Sequence, residues 1–404
     1  MGDIFGILLA LLLGCLAGIV TGLTPGIHTN TVAALVLAGL PFLSAHFSLI
    51  ALGVFLTVMV IVHSFLDFIP SIFLGAPDEG ETSLSVLPGH KLLLEGQGYK
   101  ALKLTVVGGV GAFVIGLITL PLFFILVKYG YQNLSIAIAP IIMIFSAFFI
   151  LIEKSLKHKV WALIIFLMSG VLGLLCLNTL SIKEPLFPLL AGLFGISTMV
   201  ISMESHTRIV EQKIDRSVSI GGKQNLLSYI KATLCSSLMS VLPALGGAQA
   251  TILAQALTKK KSGEEFLVIV GGINTVSSLF VLATLFLIGR ARTGVIAVMK
   301  QFLQLDFSGF AILLAASIAA VGISVILTLY LGRFFANRIS KINYRKLSLG
   351  IIAFICILVT LFSGPAGLFV LSISTAIGLI APRVGIKRIH AMGVLVLPVF
   401  RYFY

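Results

Sequence analysis

Near its start the chain reads Gly22-Leu23-Thr24-Pro25-Gly26-Ile27-His28-Thr29-Asn30-Thr31, and in its middle Ser240-Val241-Leu242-Pro243-Ala244-Leu245-Gly246-Gly247-Ala248-Gln249-Ala250-Thr251. Each stretch closes one apolar segment with Pro and Gly and opens another through small hydrogen-bonding residues. Proline removes a helical N–H and glycine admits unusual dihedrals, so both motifs predict an interrupted helix. The surroundings say where the interruption lies. Of 404 residues, 58% are hydrophobic and 10% charged, and mean hydropathy is +1.14, a balance that soluble folds do not carry. Apolar runs recur along the chain, and about 20 such residues cross a bilayer as a helix. Lipid supplies no hydrogen bonds, so a break at membrane depth is tolerable only where protein or a water-filled cavity covers the freed backbone groups.

Apolar segments follow one another from residue 4 to residue 400, and two of them, 31–43 and 248–257, are short enough to be half-helices or re-entrant arms. The net charge of +14 sits mostly in short links, which is the positive-inside pattern and not a nucleic-acid surface. Basic links at Glu153–Lys159, Lys259–Lys261, Arg333–Lys346 and Arg383–Arg388 fall on one side if every segment crosses. That side is expected to be cytoplasmic, with the chain in the cell membrane and its N-terminus outside. The first apolar stretch lacks a basic leader and is expected to be a retained membrane helix. The loop with Arg290, Arg292 and Lys300 breaks the charge rule, because the count places it outside.

An odd number of segments separates the two motifs, so the second is expected upside-down relative to the first. The predicted fold class is therefore an all-α polytopic membrane protein made of two inverted-topology repeats. Their broken or re-entrant helices would meet near the membrane midplane, the recurring plan of secondary transporters. The repeats are read as 1–203 and 226–404, joined by a cytoplasmic basic link at 204–225.

Three groups of residues carry chemistry in this reading. Thr24, Pro25, Gly26, His28, Thr29, Asn30 and Thr31, with Pro243, Gly246, Gly247, Gln249 and Thr251, would aim two helix N-termini at one point. Unpaired N–H groups and the positive dipole ends make such a point an anion site. A second group joins His63, Ser64 and Asp67 to Asn274, Thr275, Ser277 and Ser278. Asp67 lies deep in an apolar run, where a carboxylate reads as a proton or cation site, and the neutral oxygens could complete a Na+ shell. Third, the loop acids Asp78, Glu79 and Glu81 could gather cations at a mouth, while Arg290, Arg292 and Thr293 occupy the equivalent place in the second half. Arginine suits bidentate capture of carboxylate or phosphate.

Catalytic readings find no support. No phosphate-binding Gly-Lys-Ser/Thr loop, His-Glu-x-x-His or Gly-x-Ser-x-Gly occurs, so the chain is not expected to be an enzyme. Cys15, Cys176, Cys235 and Cys356 sit singly in apolar runs and read as buried small residues. No cofactor is expected beyond a coupling ion, Na+ or H+.

From Pro77 to Leu102, ending Gly98-Tyr99-Lys100-Ala101-Leu102, and again from Gly263-Glu264-Glu265-Phe266 to Asn274, the chain resembles the TctA-type permeases of tripartite tricarboxylate transporters. The resemblance implies an ion-coupled permease for an organic carboxylate. In that family a small membrane subunit and an extracytoplasmic binding protein act beside the permease, and both are candidate partners here along with membrane lipids. The chain departs from the family at His28, where a glycine is usual, at Gly271-Gly272-Ile273-Asn274-Thr275, which loses an acid and an amide, and at the Arg290–Arg292 loop. Citrate specificity and dependence on those partners are therefore not carried over. The alternative reading is a translocase for a polyprenyl-phosphate or other anionic lipid carrier.

Overall fold

The computed structural model describes residues 2–24, 27–74, 80–136, 138–178, 182, 185–204, 210–214, 222–241, 247–258, 262–341 and 343–403. All regular elements among these are helical. The protein is an all-α polytopic membrane protein, and among the described residues seven helices are long and apolar enough to cross a bilayer.

The first half opens with α1 (Gly2–Leu23), then two short pieces, α2 (Thr29–Ala38) and α3 (Leu40–Leu43). At about 1.5 Å per residue, the ten residues of α2 reach only about halfway through the hydrocarbon. Next come α4 (Leu49–Leu66) with a π-helical turn at Pro70–Leu74, α5 (Gly80–Leu94) and the long α6 (Gly98–Ile136). A second module follows: α7 (Ile138–Leu151), α8 (Leu156–Asn178), α9 (Leu186–Leu190), a π segment at Ala191–Ile196, and α10 (Ser197–Glu204).

The order then repeats. α11 (Lys223–Val241) is followed by the ten-residue α12 (Gly247–Ala256), α13 (Gly263–Ile288), α14 (Gly294–Phe302) and α15 (Phe307–Ile339). The chain ends with α16 (Tyr344–Arg383), a 3-10 turn at Arg388–Met392, and α17 (Gly393–Phe403). α16 is two helices run together: Gly364, with a φ of 71°, breaks the run just before Pro365. The Arg290–Lys300 region, expected as a loop, contains α14. Its nine residues bury Val295, Ile296, Val298 and Met299, too short a run to register as an apolar segment.

Each half packs on the other in matched fashion. α6 lies on α13 as α15 lies on α4; α14 meets α2 as α5 meets α12; α17 docks on α8 as the Ala191–Ile196 segment docks on α16. In lipid there is little hydrophobic gain from joining helices, so close van der Waals approach through small residues has to hold them. The α6–α13 seam illustrates this. A Cβ on Gly108 would strike the Val268 carbonyl, and one on Gly271 would strike the Thr105 carbonyl. α4 and α13 are the innermost spans, with 78% and 89% of their membrane windows buried.

Among the described residues the apolar interior falls into two main cores and a small cluster at Phe149 and Ile389. The larger gathers Phe65, Phe68, Phe73 and Phe280 with the faces of α6 and α13. The smaller holds Ala162, Ile165, Leu193, Ile377 and Val394, from α8, the π segment, α16 and α17. Outside the spans, a buried pair ties the α7–α8 link to the 3-10 turn, with His390 Nε2 2.9 Å from Glu153 Oε1. Burial raises the Glu153 pKa, but the His390 hydrogen bond, together with the charges of His390 and Lys387, outweighs it and holds the carboxyl below its ordinary 4.5. Burial pushes His390 below its ordinary 6.5, and the contact with Glu153 offsets this only in part.

Two outcomes follow from this packing. Gly271→Leu is expected to cost about 3 kcal/mol or more, because the clash is with backbone that cannot repack, and thermal melting of the detergent-solubilised protein measures it. Acid sensitivity has a defined sign, since both pair members titrate lower in the fold than in the unfolded chain. Stability is full above His390's ordinary 6.5 and erodes as pH falls through its folded value. A second loss begins below 4.5 as Glu153 takes up its proton. Melting temperature against pH, with Glu153→Gln removing the second step, reads this directly.

Candidate functional site

Residues that flank the two motifs, His28, Thr29 and Asn30 at the start of α2 with Ser240 near the end of α11 and Gly247 at the start of α12, line a common cavity of about 380 Å³. Its walls are built by α4 (Thr57, Val60, His63, Ser64), α11 (Ser236, Met239, Ser240), α13 (Asn274, Ser277, Ser278, Val281, Leu282) and the three short helices. Leu190, Met392 and Leu395 reach it from the smaller core's elements.

Three helix N-termini open onto this space. α2 enters through His28, Thr29 and Asn30; α12 through Gly247; α14 through Thr293, Gly294 and Val295. The first-turn N–H groups of a helix have no intrahelical acceptor, and its dipole is positive at that end. At α2 the N-cap is His28, whose Nδ1 accepts from the Asn30 N–H at 3.1 Å. At α14 the Thr293 hydroxyl accepts from the Ile296 N–H at 3.4 Å. A Cβ at Gly294 would meet the Asn30 side-chain amide, so a larger residue there would push that amide aside. Arg292 lines the same cavity.

Most of the expected anion-site residues that can be placed fall on this cavity: His28, Thr29, Asn30, Gly247, Arg292 and Thr293 line it. Thr24 and Thr31 flank the first break without lining the space. Thr251 is fully buried on α12, away from the wall. Arg290 is exposed and turned elsewhere. Of the two arginines, two residues apart in one loop, only Arg292 meets the cavity among the described residues. Pro25, Gly26, Pro243, Gly246, Asp78 and Glu79 lie outside the described residues, and Gln249 and Glu81 are described by backbone alone.

The group expected around the intramembrane carboxylate divides in two. His63, Ser64, Asn274, Ser277 and Ser278 line the cavity, whereas Asp67 sits behind it, fully buried at the end of α4. Asn274 joins the layers. Its Nδ2 donates to the Ser64 carbonyl at 2.9 Å and lies 3.4 Å from both Asp67 carboxylate oxygens. A carbonyl can only accept, which fixes the amide nitrogen toward Asp67. His63 Nε2 lies 3.9 Å from Asp67 Oδ2, and the His63 ring centroid is 6.0 Å from that of His28. Thr275 points away, into the α6 seam beside Gly109.

Two polar wall residues had not been singled out. Thr57 and Ser236 are 8% and 1% exposed, and neither hydroxyl has a hydrogen-bond partner among the described residues. A buried hydroxyl left unpaired costs about 1–3 kcal/mol. Thr57 stands two helical turns before Ser64, on the face of Val60 and His63, and Ser236 stands one turn before Ser240. Helical spacing from known motif residues was the available signal.

Known proteins were compared with the whole chain. Residues 8–393 match the model of the tripartite tricarboxylate transporter TctA family. An uncharacterized protein of Methanocaldococcus jannaschii is 31% identical over 397 residues, covering 94% of each chain. No solved structure matches. With nearly its whole length matched, this multi-pass chain belongs to the tripartite tricarboxylate transporter TctA family.

Proposed function

We propose that the protein is an ion-coupled secondary transporter that carries a small organic carboxylate through the cavity between its halves. The observation that carries this reading is the meeting of three helix N-termini and Arg292 on one cavity. An anion there is held by backbone N–H groups and a guanidinium already in place, so little reorganisation is needed on binding. Family membership supports a permease of the tricarboxylate-transporter kind.

The matched packing of the halves supports the inverted-repeat plan, with 1–203 and 226–404 as repeats around a central site. Rocking one half against the other would expose the cavity to alternate sides. The Asp67 layer serves as the coupling-ion site in this scheme. Asn274 turns an N–H donor to the carboxylate, and a Na+ shell needs oxygens, so the described ligands suit a proton better. Protonation would pass from the cavity wall at His63 to Asp67 behind it. The family name supports a small membrane subunit and an extracytoplasmic binding protein as partners.

Uptake of radiolabelled carboxylates into proteoliposomes, under separate proton and sodium gradients, tests the scheme. Arg292→Gln is expected to lower initial uptake about tenfold or more, the weight of one charge-assisted contact. Asp67→Asn should abolish accumulation against a gradient while leaving exchange of internal for external substrate. Unchanged accumulation in Asp67→Asn would remove that residue from coupling. Failure to move any carboxylate, with binding of a polyprenyl phosphate instead, would favour the lipid-carrier alternative.

A further inference from the structure

Resting on the ion-coupled carboxylate reading above, we propose that His28 is a proton-operated cap on α2, the residue through which a proton acts on the anion. Neutral, it holds the start of α2 closed; protonated, it opens that start to the carboxylate.

The cap itself fixes the protonation state. The His28 ring Nδ1 accepts from the Asn30 N–H at 3.1 Å, and the His28 carbonyl accepts from the Thr31 N–H at 3.0 Å. The Thr29 hydroxyl lies 3.4 Å from the same Nδ1. A ring nitrogen that accepts an N–H must carry a lone pair, so this imidazole is the neutral form with its proton on Nε2. Other helices in the chain are capped by Ser48, Ser262, Thr293, Asp306 and Asn343. Those side chains accept at any pH between about 5 and 8, whereas histidine loses its acceptor within that range.

Protonation rearranges the α2 start. When water on the side to which the cavity opens gives a proton to Nδ1, two N–H groups face each other and the bond from Asn30 breaks. The ring turns away as a cation, and the Asn30 N–H needs a new acceptor. A carboxylate meets both demands, accepting from the amide and pairing with the imidazolium. Proton and anion therefore favour each other's binding. Asn30 carries the change further, because its side-chain amide packs on Gly294, the first residue of α14.

The surroundings place His28 first in line for the proton. Among the described residues α2 packs chiefly on α3, α4 and α14. From α4 comes His63, its ring centroid 6.0 Å from that of His28, with Asp67 Oδ2 3.9 Å from His63 Nε2. His63 and Asp67 are buried, while His28 is half-buried on the cavity wall. Arg292, ahead of α14, stays charged on both sides of the step. α3 has no titratable group, and His46 and Lys300 are exposed at the far ends of α3 and α14. The described wall residues of α11, α12 and α13 are uncharged.

Titration calorimetry on the full-length protein in lipid nanodiscs tests this with tartrate and malate, both ionised over about pH 6.5 to 8, the upper part of the histidine range. The tighter-binding acid is expected to lose about tenfold in affinity per unit rise in pH, with about one proton taken up per anion in buffers of different ionisation heat. His28→Asn keeps an acceptor that does not titrate, so its affinity should change about twofold or less over the same range and the proton uptake should vanish. Melting temperature checks that this variant is folded. With no acid added, amide hydrogen exchange in the first turn of α2, taken relative to an unstructured peptide at each pH, should quicken on acidification in the unaltered protein. Exchange that stays flat there would overturn the proposal without recourse to a variant. A pH slope that survives His28→Asn would assign the proton to another group, and it would overturn the proposal while leaving the carboxylate reading standing. Binding of neither acid at any pH would overturn both.

Discussion

Hydrocarbon offers a helix end nothing to bond with, and the architecture follows from where this protein chooses to end helices anyway. α2, α12 and α14 all begin in the interior, with first-turn amides that no lipid can satisfy. Their starts are gathered on one cavity whose wall is mostly apolar, with polar groups at those helix starts. Side-chain caps at His28 and Thr293 use part of the donor set. The remaining positive end charge is concentrated where an anion can sit. The α2 and α14 ends lie close enough that the Asn30 side-chain amide packs on Gly294.

Holding three short helices in register requires a rigid frame, and the frame is made by exchange. Each half supplies a long helix to cover the other's innermost span, α6 for α13 and α15 for α4. Backbone approaches within these seams, such as that at Gly108 and Gly271, leave no space for adjustment. Rigid seams around the cavity favour motion of whole bodies over local softening. The smaller core is fastened separately by the Glu153–His390 pair and reaches the cavity through Met392 and Leu395. Movement of that module would therefore be felt at the cavity wall.

Much of this was legible in residues alone. The two Pro/Gly motifs marked the helix ends that flank them, Leu23 and Thr29 in the first, because proline and glycine act locally and need no tertiary context; the turn of the second lies outside the described residues. The short arms and the polar run of α13 from Asn274 to Ser278 were visible for the same reason. What escaped was decided by direction. Arg290 and Arg292 are equivalent as sequence, and only the path from the left-handed Gly289 to the Thr293 cap determines which one meets the cavity. Asp67 and His63 share a helix face, yet the end of α4 turns the carboxylate behind the wall it was expected to line. Thr57 and Ser236 gave no signal of their own, because a hydroxyl in a membrane helix usually bonds its own backbone. α14 was hidden by its length, since nine residues carry too few apolar positions to stand out from a basic loop.

The most direct test of the converging N-termini is an experimental density map of the protein in lipid with a small carboxylate bound. The carboxylate is expected within hydrogen-bond reach of the first-turn amides of α2, α12 and α14, with the Arg292 guanidinium against it. A carboxylate settled elsewhere, with those three helix starts facing only protein, would contradict an anion site between the halves.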